Sequence, residues 1–193
     1  MTDVTDPDPN IQPTTTTPPT TELPTDEADQ EDERTTLVMF LDYQRRVLAR
    51  KAEGLSDEQV RRAACPPSDM TLLGLIRHMA DVERSWFQRG MLDSGVDPIF
   101  FGSSHPNGDD DGDFHPPPGA TIAEALTTYW REIAAADEII AAEPSLDTVE
   151  RRARSPRPQY SLRWILVHMI EEYARHCGHA DLLRQAIDGA VGD

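Results

Sequence analysis

The chain has 193 residues, 38% of them apolar, and a formal net charge of −17, enough hydrophobic side chain for one core of ordinary size and too little for two. So acidic a surface repels phosphate backbones, whose binding depends on Lys and Arg replacing condensed counterions, which excludes nucleic acid as a partner. No stretch approaches the ~20 apolar residues that span a bilayer, and the N-terminus lacks a basic start with an apolar run behind it, so a cytoplasmic protein without membrane contact is expected.

Residues 1–34 are Thr, Pro and acid with almost no large apolar side chain; ten acids and one Arg give −9 of the −17, leaving −8 for the remainder. Such a segment has too little to bury and is expected to be a disordered tail, with the folded domain spanning 35–193. The first helix is predicted over about 35–53, where Leu37, Phe40, Leu41, Val47 and Leu48 recur at helical spacing and Gly54 supplies a stop. Ser56 then caps a short connector helix, SDEQVRRAA, closed by Pro66 and Pro67. A second long helix, about 71–91, carries Leu72, Leu75, Ile76, Met79, Val82 and Trp86 on its core face, with His78 at the edge of that stripe.

Residues 92–120 form a connection far longer than a bundle needs, rich in acid, Gly and Pro, and loops of this kind are often functional. Its NGDDDGD segment is no calcium loop, because twelve-residue counting from Asp109 reaches Ala120 where a bidentate Glu is required. The third long helix opens with the Thr121–Glu124 capping box and runs through Leu126, Trp130, Ile133 and Ile140 to Pro144. Arg151, Arg152, Arg154 and Arg157 follow, a solvated cluster that is also placed to line a site entrance. The last helix starts near Ser161 and runs to about Ile187, with Gly189 beyond it. Four long amphipathic helices, a short connector and no sustained alternation predict an all-α four-helix bundle.

Stepping along the last helix by threes and fours gives Leu162, Ile165, Met169, Glu172, His176, His179 and Leu183, three apolar residues followed by three polar ones. A seam of this spacing should face the bundle interior, where an unpaired carboxylate costs several kcal/mol and is better neutralised by a cation. Glu172 and His176 stand one turn apart on one face, and His78 offers a third ligand. Two imidazoles and a carboxylate suit zinc foremost, with nickel or iron(II) as alternatives, and three ligands leave positions open for water or substrate. Each signal has an ordinary reading as well: a His beside an apolar stripe is often a hydrogen-bonded core residue, and an i, i+4 Glu and His also simply pair. His168 and His179 compete for the same role, as ligands or as groups behind the ligands. Two cysteines, Cys65 and Cys177, are too few for a disulfide framework, and Cys177 reads as a small packing residue.

The stretches LLGLIRHMADVERSWF and SLRWILVHMIEEYARHCGHADLLRQAIDG resemble the DinB-like metalloenzyme family over residues 35–189, most closely the branch of mycothiol-dependent maleylpyruvate isomerase and the mycothiol S-transferases. The resemblance implies a bundle whose metal is held by His78, Glu172 and His176, and a bound ion that activates a small thiol of the mycothiol type against a small electrophile. It also explains why no protein nucleophile is evident, and it leaves a homodimer open. A different class of function is a non-catalytic bundle, clipped by its metal, that binds a partner; thiol-dependent turnover separates the two.

Overall fold

The computed structural model of the protein describes residues 31–104, 108–152 and 158–192. Most of the expected acidic tail, residues 1–30, lies outside the described residues, as do Arg154 and Arg157. Five α-helices follow in chain order: α1 (Glu33–Arg50), α2 (Asp57–Val60), α3 (Leu72–Glu83), α4 (Ile122–Ala142) and α5 (Leu162–Asp188). Among the described residues the only sheet pairing is a single antiparallel bridge between Val149 and Ser161. Among the described residues no helix is long and apolar enough to cross a membrane.

Each helix starts where a side chain can satisfy the orphan amides of its first turn. Asp32 accepts from the Thr35 amide, Thr71 from Gly74 and Ser161 from Trp164, while Ser56 with Gln59 and Thr121 with Glu124 close full capping boxes. Gly189 ends α5 at φ +82°, a left-handed conformation that suits a residue without Cβ. Helix α1 begins at Glu33, and Arg34 already serves the fold by donating to the carbonyls of Ile140 and Glu143 at the end of α4, at 2.8 and 3.0 Å.

The second long helix is not uniform. Beyond Glu83 the chain widens into a π-helical segment, Arg84–Met91, and the wider turn moves the buried stripe along. Phe87 and Met91 are fully buried, whereas Trp86, expected on the core face, is only half-buried. Such segments are uncommon and often mark functional regions.

Helix α1 packs on α5 and α3 on α4, with α3 also touching α5. The core between them includes Leu41, Leu48, Leu72, Leu75, Ile76, Met79, Ile165, Met169 and Leu183. A charged network runs through this core. Arg45 of α1, 1% exposed, forks onto Glu83 of α3, which has no exposure, through Nε–Oε1 at 2.7 Å and an Nη–Oε2 contact of 2.8 Å. Its other Nη reaches Asp42 and Asp137 at 3.1 and 2.8 Å. The Tyr173 hydroxyl of α5 donates to Glu83 at 2.7 Å, and that of Tyr129 on α4 donates to the Arg45 carbonyl at 2.9 Å. Burial alone would lower the affinity of Arg45 for its proton, yet the Glu83 charge and hydrogen bonds outweigh it and hold the pKa well above the usual value.

Arg45→Ala leaves Glu83 buried without its counter-charge and should cost about 3–5 kcal/mol. Thermal denaturation followed by circular dichroism should show a midpoint roughly 10 °C lower, and the double change Arg45→Met with Glu83→Leu should lose clearly less.

Candidate metal centre

Helices α3 and α5 bring His78, Glu172 and His176 together: one ligand atom from each residue lies within 4.8 Å of the other two. The His78 and His176 rings stand 4.9 Å apart, edge to face at 67°. His176 Nε2 is 3.6 Å from Glu172 Oε2, too long for a hydrogen bond and close to the ~3.4 Å edge of a tetrahedron whose vertices lie ~2.1 Å from its centre. That pair is therefore near the spacing of two ligands of one ion, and the third donor, on His78, lies within 4.8 Å of both. Burial pushes the His176 imidazole down to about 4, with neighbouring His78 and His179 adding to the effect, so it is neutral near pH 7, the form that ligates.

Glu172 is not in the centre of the core seam. Its side chain is 21% exposed, and Tyr173, fully buried, takes the interior place. The counted stripe drifts because an α-helix turns 3.6 residues at a time, about 20° per heptad away from a strict alternation of threes and fours. After Met169 the buried face passes through Tyr173, His176, Cys177 and Ala180, leaving Glu172 and His179 on its rim. A rim position gives a carboxylate one side in the protein and one side open to an incoming molecule.

His168 and His179 flank the cluster. His168 Nε2 lies 3.6 Å from Glu172 Oε1, on the carboxylate oxygen that does not face His176. His179 Nδ1 lies 3.4 Å from His176 Nδ1, leaving His176 Nε2 turned to the cluster. Behind His168 stands a column of rings. Tyr160 stacks on Trp164 at 3.7 Å, Trp164 on His168 at 4.8 Å, and Trp86 of the π-helical segment meets His168 edge-on at 4.8 Å.

One partner of the cluster escaped the sequence reading. His78 Nδ1 lies 2.7 Å from Oδ2 of Asp113, a carboxylate of the long 92–120 connection that is only 8% exposed. The cue available was the length of that loop; nothing in the order of its acids told Asp113 from Asp109, which instead holds His115 Nδ1 at 2.7 Å. Phe114 stacks on the His78 ring at 4.3 Å. Its far surroundings form a cavity of about 320 Å³ lined by Asp69, Met70, Asp111, Phe114 and His115. Of the arginine cluster, Arg151 is engaged elsewhere, with Glu143 Oε1 at 2.7 Å and the Met91 carbonyl at 3.0 Å.

Cys177 is poorly placed to act as a nucleophile. Burial pushes the Cys177 thiol up to about 12, and its Sγ lies 3.6 Å from the Gln44 carbonyl of α1. Cys65 sits half-buried in the connection between α2 and α3.

Residues 36–189 match the family described as Mycothiol-S-transferase. A crystal structure of a conserved protein from Enterococcus faecalis is similar in fold, with a TM-score of 0.59 and 14% sequence identity, covering 83% of this chain and 99% of that one. No curated protein matches the sequence.

The metal-loaded wild type should carry about one zinc per chain by elemental analysis, and His176→Ala should lose it, since two ligands bind far more weakly than three. Retained stoichiometry in that variant would point to His168 or His179 as the ligand instead.

Proposed function

The chain belongs to the mycothiol-S-transferase family, a branch of the DinB-like bundles, and on that premise we propose that it transfers a mycothiol-type thiol to a small electrophile at a divalent metal, zinc foremost, held by His78, Glu172 and His176. The observation that carries this reading is the convergence of two imidazoles and one carboxylate, on two different helices, within 4.8 Å of one another. Three protein donors leave part of a four- or five-coordinate shell open, the pattern of catalytic rather than structural zinc.

When bound, a divalent ion supplies the positive charge that lowers a thiol's pKa and keeps it as thiolate at neutral pH. The chain's own residues do the rest. His176, neutral and buried, and His78 present imidazole nitrogens, while Glu172 adds negative charge that holds a cation at the rim. The Tyr160–Trp164–His168 column stands behind the carboxylate, with His168 Nε2 3.6 Å from Glu172 Oε1. Beyond Phe114, the cavity of about 320 Å³ lies at the small end of the ~300–1,000 Å³ range of small-molecule sites, and its acids and apolar floor suit the hydroxyl-rich body of such a thiol. In the reaction the thiol proton passes to solvent, the sulfur forms a bond to the electrophilic carbon, and the leaving group departs with its electron pair. The burial of Cys177, whose thiol is held protonated, supports a cosubstrate as the source of the attacking sulfur.

Metal-loaded protein should accelerate conjugation of a mycothiol-type thiol to a test electrophile, and Glu172→Gln, which keeps the shape and loses the charge, should remove most of that rate. If a panel of thiols and electrophiles reacts no faster than with free metal, the transferase reading falls and the cluster becomes a clip joining α3 and α5. A companion measurement addresses the nucleophile: brief iodoacetamide treatment of the native protein at pH 8, read by mass spectrometry, should modify Cys65 and leave Cys177 untouched, because at that pH a thiol titrating near 12 is almost wholly protonated.

A further inference from the structure

The long connection between α3 and α4 is seated on one face of α3 at four points spaced as successive turns require: Gly74, Arg77, His78 and Asp81. At Gly74 the loop backbone passes so close that an added Cβ would stand 3.0 Å from the Phe114 carbonyl oxygen and 3.2 Å from its Cα. Arg77 donates to the carbonyls of Asp113 and Gly112 at 3.1 and 3.0 Å, and its guanidinium lies 3.9 Å over the Phe100 ring. Asp81 accepts from the amides of Ile99 and Phe100 at 2.7 and 2.9 Å. Three of these contacts hold backbone or a ring of the loop. The fourth, Asp113 Oδ2 on His78 Nδ1, joins a loop side chain to a candidate ligand.

We propose that Asp113 is a positioning residue of the metal centre: its carboxylate holds the proton of His78 on Nδ1 and aims Nε2, bare, at the point where Glu172 and His176 converge. The inference rests on the metal reading above. A free neutral imidazole divides its proton between two nitrogens and turns about its bonds, and a carboxylate at 2.7 Å from one nitrogen ends both freedoms. Arg77 and Asp81 bind the loop backbone independently of the Asp113 carboxylate. Its Oδ1 accepts from the Phe114 amide at 3.1 Å, so the carboxylate is itself fixed, and Phe114 covers one face of the His78 ring. The buried His176, by contrast, meets another imidazole, that of His179, at its Nδ1 among the described residues. The loop thereby becomes part of the site, supplying no ligand and deciding how one ligand is presented.

The test uses the full chain, metal-free and zinc-loaded, with Asp113→Ala, Asp113→Asn and, as a control for loop seating, Arg77→Met. Zinc affinity is measured by competition with a chromophoric chelator, site geometry by the visible absorption of the cobalt(II) form, and the His78 tautomer by ring-nitrogen NMR shifts of the metal-free protein. Asp113→Ala should weaken zinc roughly 10- to 100-fold, alter the cobalt spectrum and give His78 mixed tautomers. Asp113→Asn, which still accepts from Nδ1–H, should keep the tautomer and most of the affinity. Arg77→Met should lower the melting temperature with a much smaller effect on zinc. Wild-type affinity, spectrum and tautomer in Asp113→Ala, or an equal loss of affinity in Arg77→Met, would overturn the proposal and leave Asp113 as a loop anchor. A wild-type chain that takes up no zinc would instead sink the metal reading, and this inference with it.

Discussion

A buried ion pair sets where everything else sits. Arg45 and Glu83 are out of water, so they must find each other and their hydrogen-bond partners together, and those partners come from the remaining helices: Asp137 from α4, the Tyr173 hydroxyl from α5 and the Tyr129 hydroxyl beneath the Arg45 carbonyl. An apolar core alone tolerates sliding of one helix along another, because one methylene contact replaces another at small cost. A fully hydrogen-bonded charge pair does not, since a shift of one residue strands a charge. Glu83 lies five residues beyond His78, and Tyr173 lies between Glu172 and His176 in sequence. The 2.7 Å contact between Glu83 and Tyr173 therefore fixes the register of α3 against α5 beside the place where the three candidate ligands meet.

Much of this arrangement is legible in the chain because it is local. The capping signals at Ser56, Thr121 and Ser161 and the stop at Gly189 work through bonds to residues within one turn, so their spacing shows in the sequence and recurs in the structure. The His78, Glu172 and His176 grouping was legible for a related reason: polar residues at helical spacing on an otherwise apolar face have few explanations. The π-helical widening after Glu83 was not, because it depends on how α3 packs rather than on any residue's own preference, and it moved Trp86 outward in favour of Phe87. Glu83 and Arg45 look like ordinary surface charges in sequence, and only the tertiary fold puts them in the interior. Tyr173 was hidden by counting with a period slightly too short.

The loop acids show the limit most plainly. Asp109, Asp110, Asp111 and Asp113 are equivalent by composition, yet one reaches a candidate ligand and another a solvent-facing His115. What separates them is the seat on α3, made of a missing Cβ at Gly74 and a guanidinium at Arg77, features of a helix nearly forty residues earlier in the chain. On the proposed reading, function in this fold would be divided: helices would supply the donors, and the connection between α3 and α4 would set how one of them is offered.

The ring column on α5 has an optical side. Of the three tryptophans, Trp86 and Trp164 both stand 4.8 Å from the His168 ring, which leans on the Glu172 carboxylate, whereas Trp130 sits apart against Tyr129. Indole emission responds to nearby charge and to imidazole as an electron acceptor, so a change at Glu172 passes through one intervening ring to two of the three fluorophores. A change in the state of the candidate site should therefore alter the emission of Trp86 and Trp164 more than that of Trp130.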